Sequence, residues 1–279
     1  MSTRLTILCE NSVDRVSPAG LLGEHGFACH LETPQGNFLF DTGGGLTIMN
    51  NAEKLGIDFG QLHGILFSHG HYDHVGGLQQ VLKQTGPIPI YAHPDLFSDH
   101  YSSNSGKQVA IGMPWTQTEL ETLGARFFLS TTPCEVTSNL LLSGEIPRLS
   151  SVESGDPNLT TLAENGAPKA DPLHDDLSLF ITSEKGLIIL LGCAHAGLLN
   201  IIDHALQVTG EDKIHMVIGG THLKFCSEDQ MSATLNRLEE LQVDRIGASH
   251  CTGLRGAQRL AARFGERFFS ASVGTRIAI

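Results

Sequence analysis

The order of apolar runs and turns repeats once along this chain, and any fold must accommodate both copies. In the first half, "FACHLETPQGNFLF" is two apolar runs around Pro34-Gln35-Gly36-Asn37, which has turn chemistry and predicts a β-hairpin. A helix at "IMNNAEKLG" stops at Gly56. The strand "GILF", the helix "LQQVLKQTG" closed by Gly86 and the strand "PIPIYAHP" complete the half. The second half opens with a hairpin around Ser183-Glu184-Lys185-Gly186. The helix "LLNIIDHALQ", the strand "IHMVIGGTHL", the helix "SEDQMSATLNRLEELQ" and the strand "RIGASHC" follow. The residues barely match between halves, but the element order does. Two such halves facing each other predict an α/β sandwich of two sheets with helices outside, one half per sheet. Leu5 to Cys9 reads as a further strand ahead of the first hairpin.

The chain between the halves does not follow the repeat. "SDHYSSNSGKQ" and "SSVESGDPNLTTLAENGAPKADPLHDD" are rich in Ser, Gly, Asn and Pro and read as loops or a lid. No linker marks a second domain, so one domain is expected over residues 1–279, with a loop-rich insertion at about 94–175. The net charge of −12 argues against a general nucleic-acid binder, but a local site can oppose it and take a small anion. "MSTRLTILCENS" carries no signal-peptide pattern, and no run approaches the ~18 apolar residues of a membrane helix. Six cysteines without a CxxC are read as reduced thiols in a cytoplasmic protein. The expected partner is a small-molecule substrate, with neither membrane nor general nucleic-acid binding; the sequence is compatible with a homo-oligomer.

Metal-capable side chains fall just past the predicted strands, where α/β architectures build sites. In the first half these are Asp41, then His69 to His74, then His93; in the second, His195, His222 and His250. His69 and His71, at i and i+2, can point the same way and reach one metal. Asp73 and His74, where the chain turns, can face one cavity. Two His beside an Asp-His pair suit two metals ~3.5–4 Å apart sharing a water whose pKa falls toward ~7. Gly70, Gly76 and Gly77 permit tight backbone around them.

His69-Gly70-His71-Tyr72-Asp73-His74 resembles the HxHxDH signature of the metallo-β-lactamase superfamily, and Asp41-Thr42-Gly43 resembles its upstream Asp. "GEHGFACHLET", "GEIPR", "DDLSLFITSEKGLIILLGCAHAGLLNII", "GGTHL" and "SHCTG" resemble the branch named for 7,8-dihydropterin-6-methyl-4-(β-D-ribofuranosyl)aminobenzene 5'-phosphate synthase. The resemblance runs over most of the chain and is weakest between Asp95 and Pro133. It implies an αββα sandwich of two mixed β-sheets, the metallo-β-lactamase fold.

By that resemblance His69 and His71 hold one metal, Asp73 and His74 the other, and Asp41 orients a ligand His. The family's bridging carboxylate position carries Cys193 here, so His195 is taken as ligand and Cys193 as packing beneath it, with a Cys193 thiolate ligand as the alternative. His250 is favoured as the final ligand; His222 is a ligand, a proton donor or a substrate contact. Glu24, His25, Asp175 and Asp176, His174 and Arg148 are further candidates, Arg148 for a substrate phosphate or for pairing with Glu145. His30, His63, His100, His204 and His215 are read as structural or surface residues. The implied cofactors are two divalent ions, zinc first, with iron or manganese as alternatives. The expected function is a metal-dependent hydrolase or transferase. It would use a dinuclear centre or a metal-bound hydroxide, with Asp73 and His222 in the chemistry, on a phosphate ester, pyrophosphate or related anion. The competing readings are a di-iron redox protein and a metal-binding sensor.

Overall fold

The structure, a computed structural model, describes residues 3–104, 107–163 and 165–279. Ser105, Gly106 and Glu164, in the stretches read as loops, lie outside the described residues, as do Met1 and Ser2 of the stretch searched for a signal peptide.

Each half of the repeat forms one seven-stranded mixed sheet. In the first, the hairpin Ala28–Thr33 and Gly36–Phe40 is extended in parallel by Leu62–Leu66, Ile88–Ala92 and Ala125–Leu129. In the second, the hairpin Ser178–Ile181 and Leu187–Leu191 is extended in parallel by Ile214–Gly220, Arg245–Ser249 and Phe268–Ser270. Arg4–Cys9 pairs antiparallel to Ala28–Thr33 on one side and to Arg276–Ala278 on the other.

Period-2 alternation makes the layers. Leu5, Ile7, Cys29, Leu31, Phe38 and Phe40 pack between the sheets against Leu179, Ile181, Ile188, Leu190, Met216 and Ile218. Their chain neighbours face outward onto helices: Leu8, Ala28 and Leu39 toward Ile48, Ala52 and Leu55, and Leu187, Ile189 and Leu191 toward Leu198, Ile201 and Ile202. The helix Ile48–Leu55 buries Ile48, Asn51, Ala52 and Leu55, an i, i+3, i+4, i+7 stripe, and ends where Gly56 turns left-handed at φ 70°. The helix Glu228–Glu240 starts where the Ser227 hydroxyl accepts from the Gln230 N–H at 3.1 Å. The result is helix, sheet, sheet, helix. No helix among the described residues is long and apolar enough to cross a membrane.

The segment 94–175, read as loops or a lid, carries more regular structure than that. Ala125–Leu129 closes the first sheet, and Cys134–Thr137 with Leu140–Leu142 closes the second. Four further strands, Pro168–Ala170, Leu159–Leu162, Tyr101–Asn104 and Lys107–Ala110, form a small antiparallel sheet in that order. Lys107–Ala110 and Pro168–Ala170 are exposed along their length. Such strands bury no face and show no apolar alternation to read.

One buried pair fastens this small sheet to the sandwich. His100, just before Tyr101–Asn104, places Nδ1 2.6 Å from Asp171 Oδ2, just after Pro168–Ala170, and Nε2 3.5 Å from Asp175 Oδ2. Burial opposes the imidazolium, but the two carboxylates outweigh it and raise His100 from 6.5 to about 10. A pKa raised on folding stabilises fully below pH 6.5, and that contribution fades as pH rises through 10. Asp171→Asn is therefore expected to cost on the order of 3 kcal/mol near pH ~6, the scale for breaking a buried pair. The gap in melting temperature from wild type should narrow above about pH 10; a gap independent of pH would mean that the pair is not charged.

Candidate metal centre

Both sheets send the carboxyl ends of their strands to one edge, and there the candidate residues meet. His69 is the third residue past Leu62–Leu66, and His71 begins the single helical turn Tyr72–Val75 that carries Asp73 and His74. His195, His222 and His250 follow strands Leu187–Leu191, Ile214–Gly220 and Arg245–Ser249. Asp41, Ala194, His222 and His250 have φ between 50° and 60°. That left-handed turn re-aims a side chain at a strand end, and Asp and His tolerate it better than most residues.

Four overlapping donor groups result among the described residues, His69, His74 and Cys193 forming one of them. His69, His71 and His195 each offer a donor within 4.8 Å of the others, as do His25, Asp73 and His250. His69 Nε2 and His71 Nδ1 face each other at 3.0 Å, and His195 Nε2 is buried without a hydrogen-bond partner. Asp73 Oδ2 lies 3.2 Å from His25 Nε2 and 3.4 Å from His250 Nε2. His74 stands between the clusters, its Nε2 3.3 Å from Cys193 Sγ. Cys193 and Cys251 also gather with His250 within 4.8 Å.

Burial, more than neighbouring charge, pushes His69, His195 and His250 well below their ordinary pKa, and His71 to about 4. Neutral imidazoles with lone pairs converging in a dry site are the donor state a transition ion requires. Burial alone would raise the Asp73 carboxyl; the hydrogen bond from His25 and the charges of His74 and His250 outweigh it and hold it ionised. Imidazoles, one carboxylate and adjacent thiols thus fit one or two divalent transition ions.

A shell behind the donors fixes their orientation. Asp41, fully buried, accepts from Ser68 N at 2.8 Å, Ser68 Oγ at 2.7 Å and His74 Nδ1 at 2.7 Å. Its charge raises His74 to about 9 against the effect of burial and commits the Nδ1 proton, so Nε2 points at the clusters. Asn11 Oδ1 lies 3.0 Å from His250 Nδ1, and Glu10 accepts from the His250 N–H at 2.7 Å. Asp176 accepts from Ala196 N at 2.8 Å, and Arg148 donates to the His195 carbonyl at 2.9 Å and the Leu173 carbonyl at 3.0 Å. Arg148 therefore clamps the His195 turn; it is neither in the cleft nor paired with Glu145. Asp175 accepts from Gly70 N at 2.7 Å.

Several expected candidates stand apart from the cleft. Glu24 is spent on the Cys9 thiol and the Leu46 and Thr47 backbone. His93 pairs with Glu145 at 3.0 Å, and His174 is exposed beside Arg148 in a separate groove. His100, read as structural or surface, is buried and packs against His71 with ring centroids 5.2 Å apart. Gly70, Gly76 and Gly77 admit close backbone: a Cβ on them would fall 2.4 Å from Leu96 O, 2.5 Å from Tyr72 O and 2.3 Å from Thr42 O. The cleft, about 760 Å³, is also lined by Tyr72, Asp156, Asn158, Lys224, Phe225 and Cys251. None of these was singled out in the sequence. Tyr72 lay inside the motif, and Lys224 and Phe225 lie two and three residues past His222, which was the available signal.

Residues 29–250 match the family model described as the metallo-beta-lactamase superfamily. A Methanocaldococcus jannaschii protein named 7,8-dihydropterin-6-methyl-4-(beta-D-ribofuranosyl)-aminobenzene-5'-phosphate synthase is 31% identical over 254 residues, covering 88% of this chain and 86% of that one. A solved structure described as a metal-dependent hydrolase of the beta-lactamase superfamily superposes with a TM-score of 0.84 at 28% identity, covering 99% of each chain. A diphosphatase of the PhnP family shares the fold at TM-score 0.55 and 11% identity, covering 100% of this chain and 98% of that one.

The Asp41 network yields a steric test from the opposite sheet. A Cβ on Gly192 would sit 2.1 Å from Ser68 Oγ and 3.1 Å from Asp41 Oδ2. Gly192→Ala must push Ser68 off Asp41 and release His74, which by the scale for such supports lowers metal affinity roughly 10–100-fold. Competition with a coloured chelator measures this, and unchanged affinity would show that the Asp41–Ser68 contact does not orient His74.

Proposed function

The chain belongs to the metallo-β-lactamase superfamily and is an enzyme of it, and we propose that it is a metal-dependent hydrolase or transferase with a dinuclear centre, acting on a phosphate ester, pyrophosphate or related small anion. The observation that carries this is the pair of donor clusters, His69/His71/His195 and His25/Asp73/His250, of which all but His69 line one cleft, with His74 and Cys193 between them. Zinc suits this imidazole-rich set beside thiols, with iron or manganese as alternatives. Divalent ions held there would supply Lewis acidity and a water of lowered pKa.

The chain's own residues prepare that centre. Asp41, Asn11, Arg148 and Asp176 hold the ligand turns, so little reorganisation accompanies substrate binding. His222 lies between His195, at 4.5 Å between ring centroids, and Phe225. Burial lowers it to about 4, so near neutral pH it meets substrate as a neutral imidazole able to donate one hydrogen bond and accept another. The name of the Methanocaldococcus jannaschii relative supports including a dihydropterin-related phosphate in the proposed substrate class. We read residues 1–279 as a single working unit, with the 94–175 segment forming one wall of the cleft through Ser102, Ile111, Asp156 and Asn158. The six free cysteines suit a reducing compartment such as the cytoplasm.

Elemental analysis of protein purified without added metal or chelator is expected to give about two ions per chain, the number a two-metal site holds. His195→Ala and His250→Ala should each lower the count, and Asp73→Ala should cut phosphoester turnover at least ~100-fold, the scale for losing a positioned catalytic group. A count near one ion that neither His variant changes would break the two-cluster reading. Chelation should lower the melting temperature, since an ion bound only to the folded state adds to its stability.

A further inference from the structure

Two thiols meet at the centre where the sheet alone would keep them apart. Cys193 and Cys251 follow the strands Leu187–Leu191 and Arg245–Ser249, which both pair with Ile214–Gly220 between them. Strands two places apart in a sheet lie roughly 9–10 Å from each other. Yet the two sulfurs come within 4.8 Å, in one group with a His250 nitrogen. Gly220, at the end of the intervening strand, makes this possible. A Cβ there would fall 2.7 Å from Cys251 Sγ and 2.3 Å from the Gly192 carbonyl oxygen, so the Cys251 sulfur occupies the space that a side chain would take.

Hydrogen bonds hold the pair in this arrangement. The Cys251 thiol donates to the Cys193 carbonyl at 3.3 Å, and its sulfur accepts from the His222 N–H at 3.3 Å. Cys193 Sγ lies 3.3 Å from His74 Nε2. Both cysteines line the cleft, 4% and 6% exposed, so a small solute reaches them from the cleft and a bulky one does not. Both also sit past the last paired residues of their strands, Leu191 and Ser249, so rotation of their side chains toward the ~2 Å of a disulfide leaves the strand pairing in place. The remaining cysteines are engaged elsewhere. Cys9 bonds to Glu24, Cys29 to the His30 carbonyl and Cys226 to the Leu223 carbonyl, while Cys134 is half-buried on the outer strand of the second sheet.

We propose that Cys193 and Cys251 are an oxidisable dithiol, a modification site at which a small hydroperoxide entering the cleft converts the two thiols into a reversible disulfide. One sulfur attacks the O–O bond and becomes a sulfenic acid, and its proton leaves with the departing alcohol or water. The second sulfur then attacks the sulfenic sulfur. The S–S bond forms, the S–O bond breaks, and water departs with the second proton. Each sulfur gives up one electron, and the peroxide takes both. A neighbour already beside the sulfenic acid captures it ahead of a second peroxide, which keeps the change reversible. A dithiol reductant, which a reducing compartment supplies, restores the thiols. The disulfide has no thiolate to offer an ion, so oxidation strips the sulfur donors from the group with His250 and weakens the hold on metal there.

The test exposes the protein as purified to hydrogen peroxide, alkylates the remaining thiols and maps the peptides by mass spectrometry. The first product expected is a Cys193–Cys251 cross-link that dithiothreitol reverses, with Cys9, Cys29, Cys134 and Cys226 still alkylated. Cys134→Ser should form the same cross-link. Cys251→Ser should form none, and its Cys193 should run on to the sulfinic acid, which dithiothreitol does not reverse. A second probe reads proximity without oxidation. Phenylarsine oxide bridges two neighbouring thiols through two As–S bonds with loss of one water, so wild type should take up about one equivalent and Cys251→Ser none. Competition with a coloured chelator should show the cross-linked protein holding metal roughly 10-fold less tightly than the reduced protein, the low end of the scale for disturbing a metal site's surroundings. Peroxide oxidation that gives no Cys193–Cys251 link, or arsenical uptake that Cys251→Ser leaves unchanged, would overturn the proposal. A cross-link that leaves metal affinity unaltered overturns its effect on the centre and leaves the modification site in place.

Discussion

A carboxylate with no exposed surface organises this molecule: Asp41 collects three hydrogen bonds at the point where the two sheets meet. An ionised group buried that deeply survives only when its lone pairs are filled. The donors that fill them come from Ser68 and His74, past the end of the neighbouring parallel strand. Gly192, from the opposite sheet, leaves the space that Ser68 occupies. The Asp41 turn, the histidine turn and the first turn of the second half are therefore mutually locked. The remaining donor turns are built on the same plan, with Asp176 and Arg148 behind His195, and Glu10 and Asn11 behind His250. Rigid strands carry the donors and buried polar groups aim them.

The two-sheet architecture was legible because a hydrophobic sheet face and an amphipathic helix each leave a strong periodic trace. Hairpin, helix, strand, helix, strand could be read twice, and the structure places both copies as read. The repeat extends one strand further than was read, since Ala125–Leu129 and Phe268–Ser270 occupy equivalent outer positions in the two sheets. The first lies beyond a Ser-, Gly- and Asn-rich stretch and the second is only three residues long, so neither stood out. The small sheet in 94–175 was missed for a deeper reason. Strands such as Lys107–Ala110 bury no face, and the two hairpins of this sheet join through Tyr101–Asn104 and Leu159–Leu162, which are distant in sequence.

At the site, legibility followed spacing. The dense motif and the histidines at strand ends converge, because a strand end is both a sequence boundary and a place in the fold. Roles that depend on what lies across the cleft were not readable. Arg148 looked like a phosphate ligand and is a clamp on the His195 turn; Glu24 looked like a border residue and is a strap on its own loop. His25 entered as one candidate among many, and its contact with Asp73 depends on a turn about fifty residues away in sequence. Lys224 and Phe225 carry no motif at all, since one cation and one ring acquire meaning only when a backbone such as Gly253 places them beside a site.

The donor clusters are also unequal. His69, His71 and His195 offer only nitrogen, are shielded from water and need no charge partner, which suits an ion held tightly. The second cluster offers one carboxylate and two imidazoles, one of them on His25, whose side chain is 59% exposed, with Cys251 adjoining His250; Cys193 lies within reach of both clusters, beside His250 and beside His69 and His74. A water-accessible ligand exchanges more easily than a buried one, and carboxylate and thiolate donors select among ions more sharply than imidazole alone. In the proposed dinuclear centre the side nearer solvent would be the more adaptable in occupancy and metal, and the buried side would supply the fixed frame. Two metals held this way would have the variable half beside His25 at the cleft surface and the constant half beneath it, which is the arrangement an enzyme needs if substrate is to approach one face of its metals while the other stays locked to the sheets.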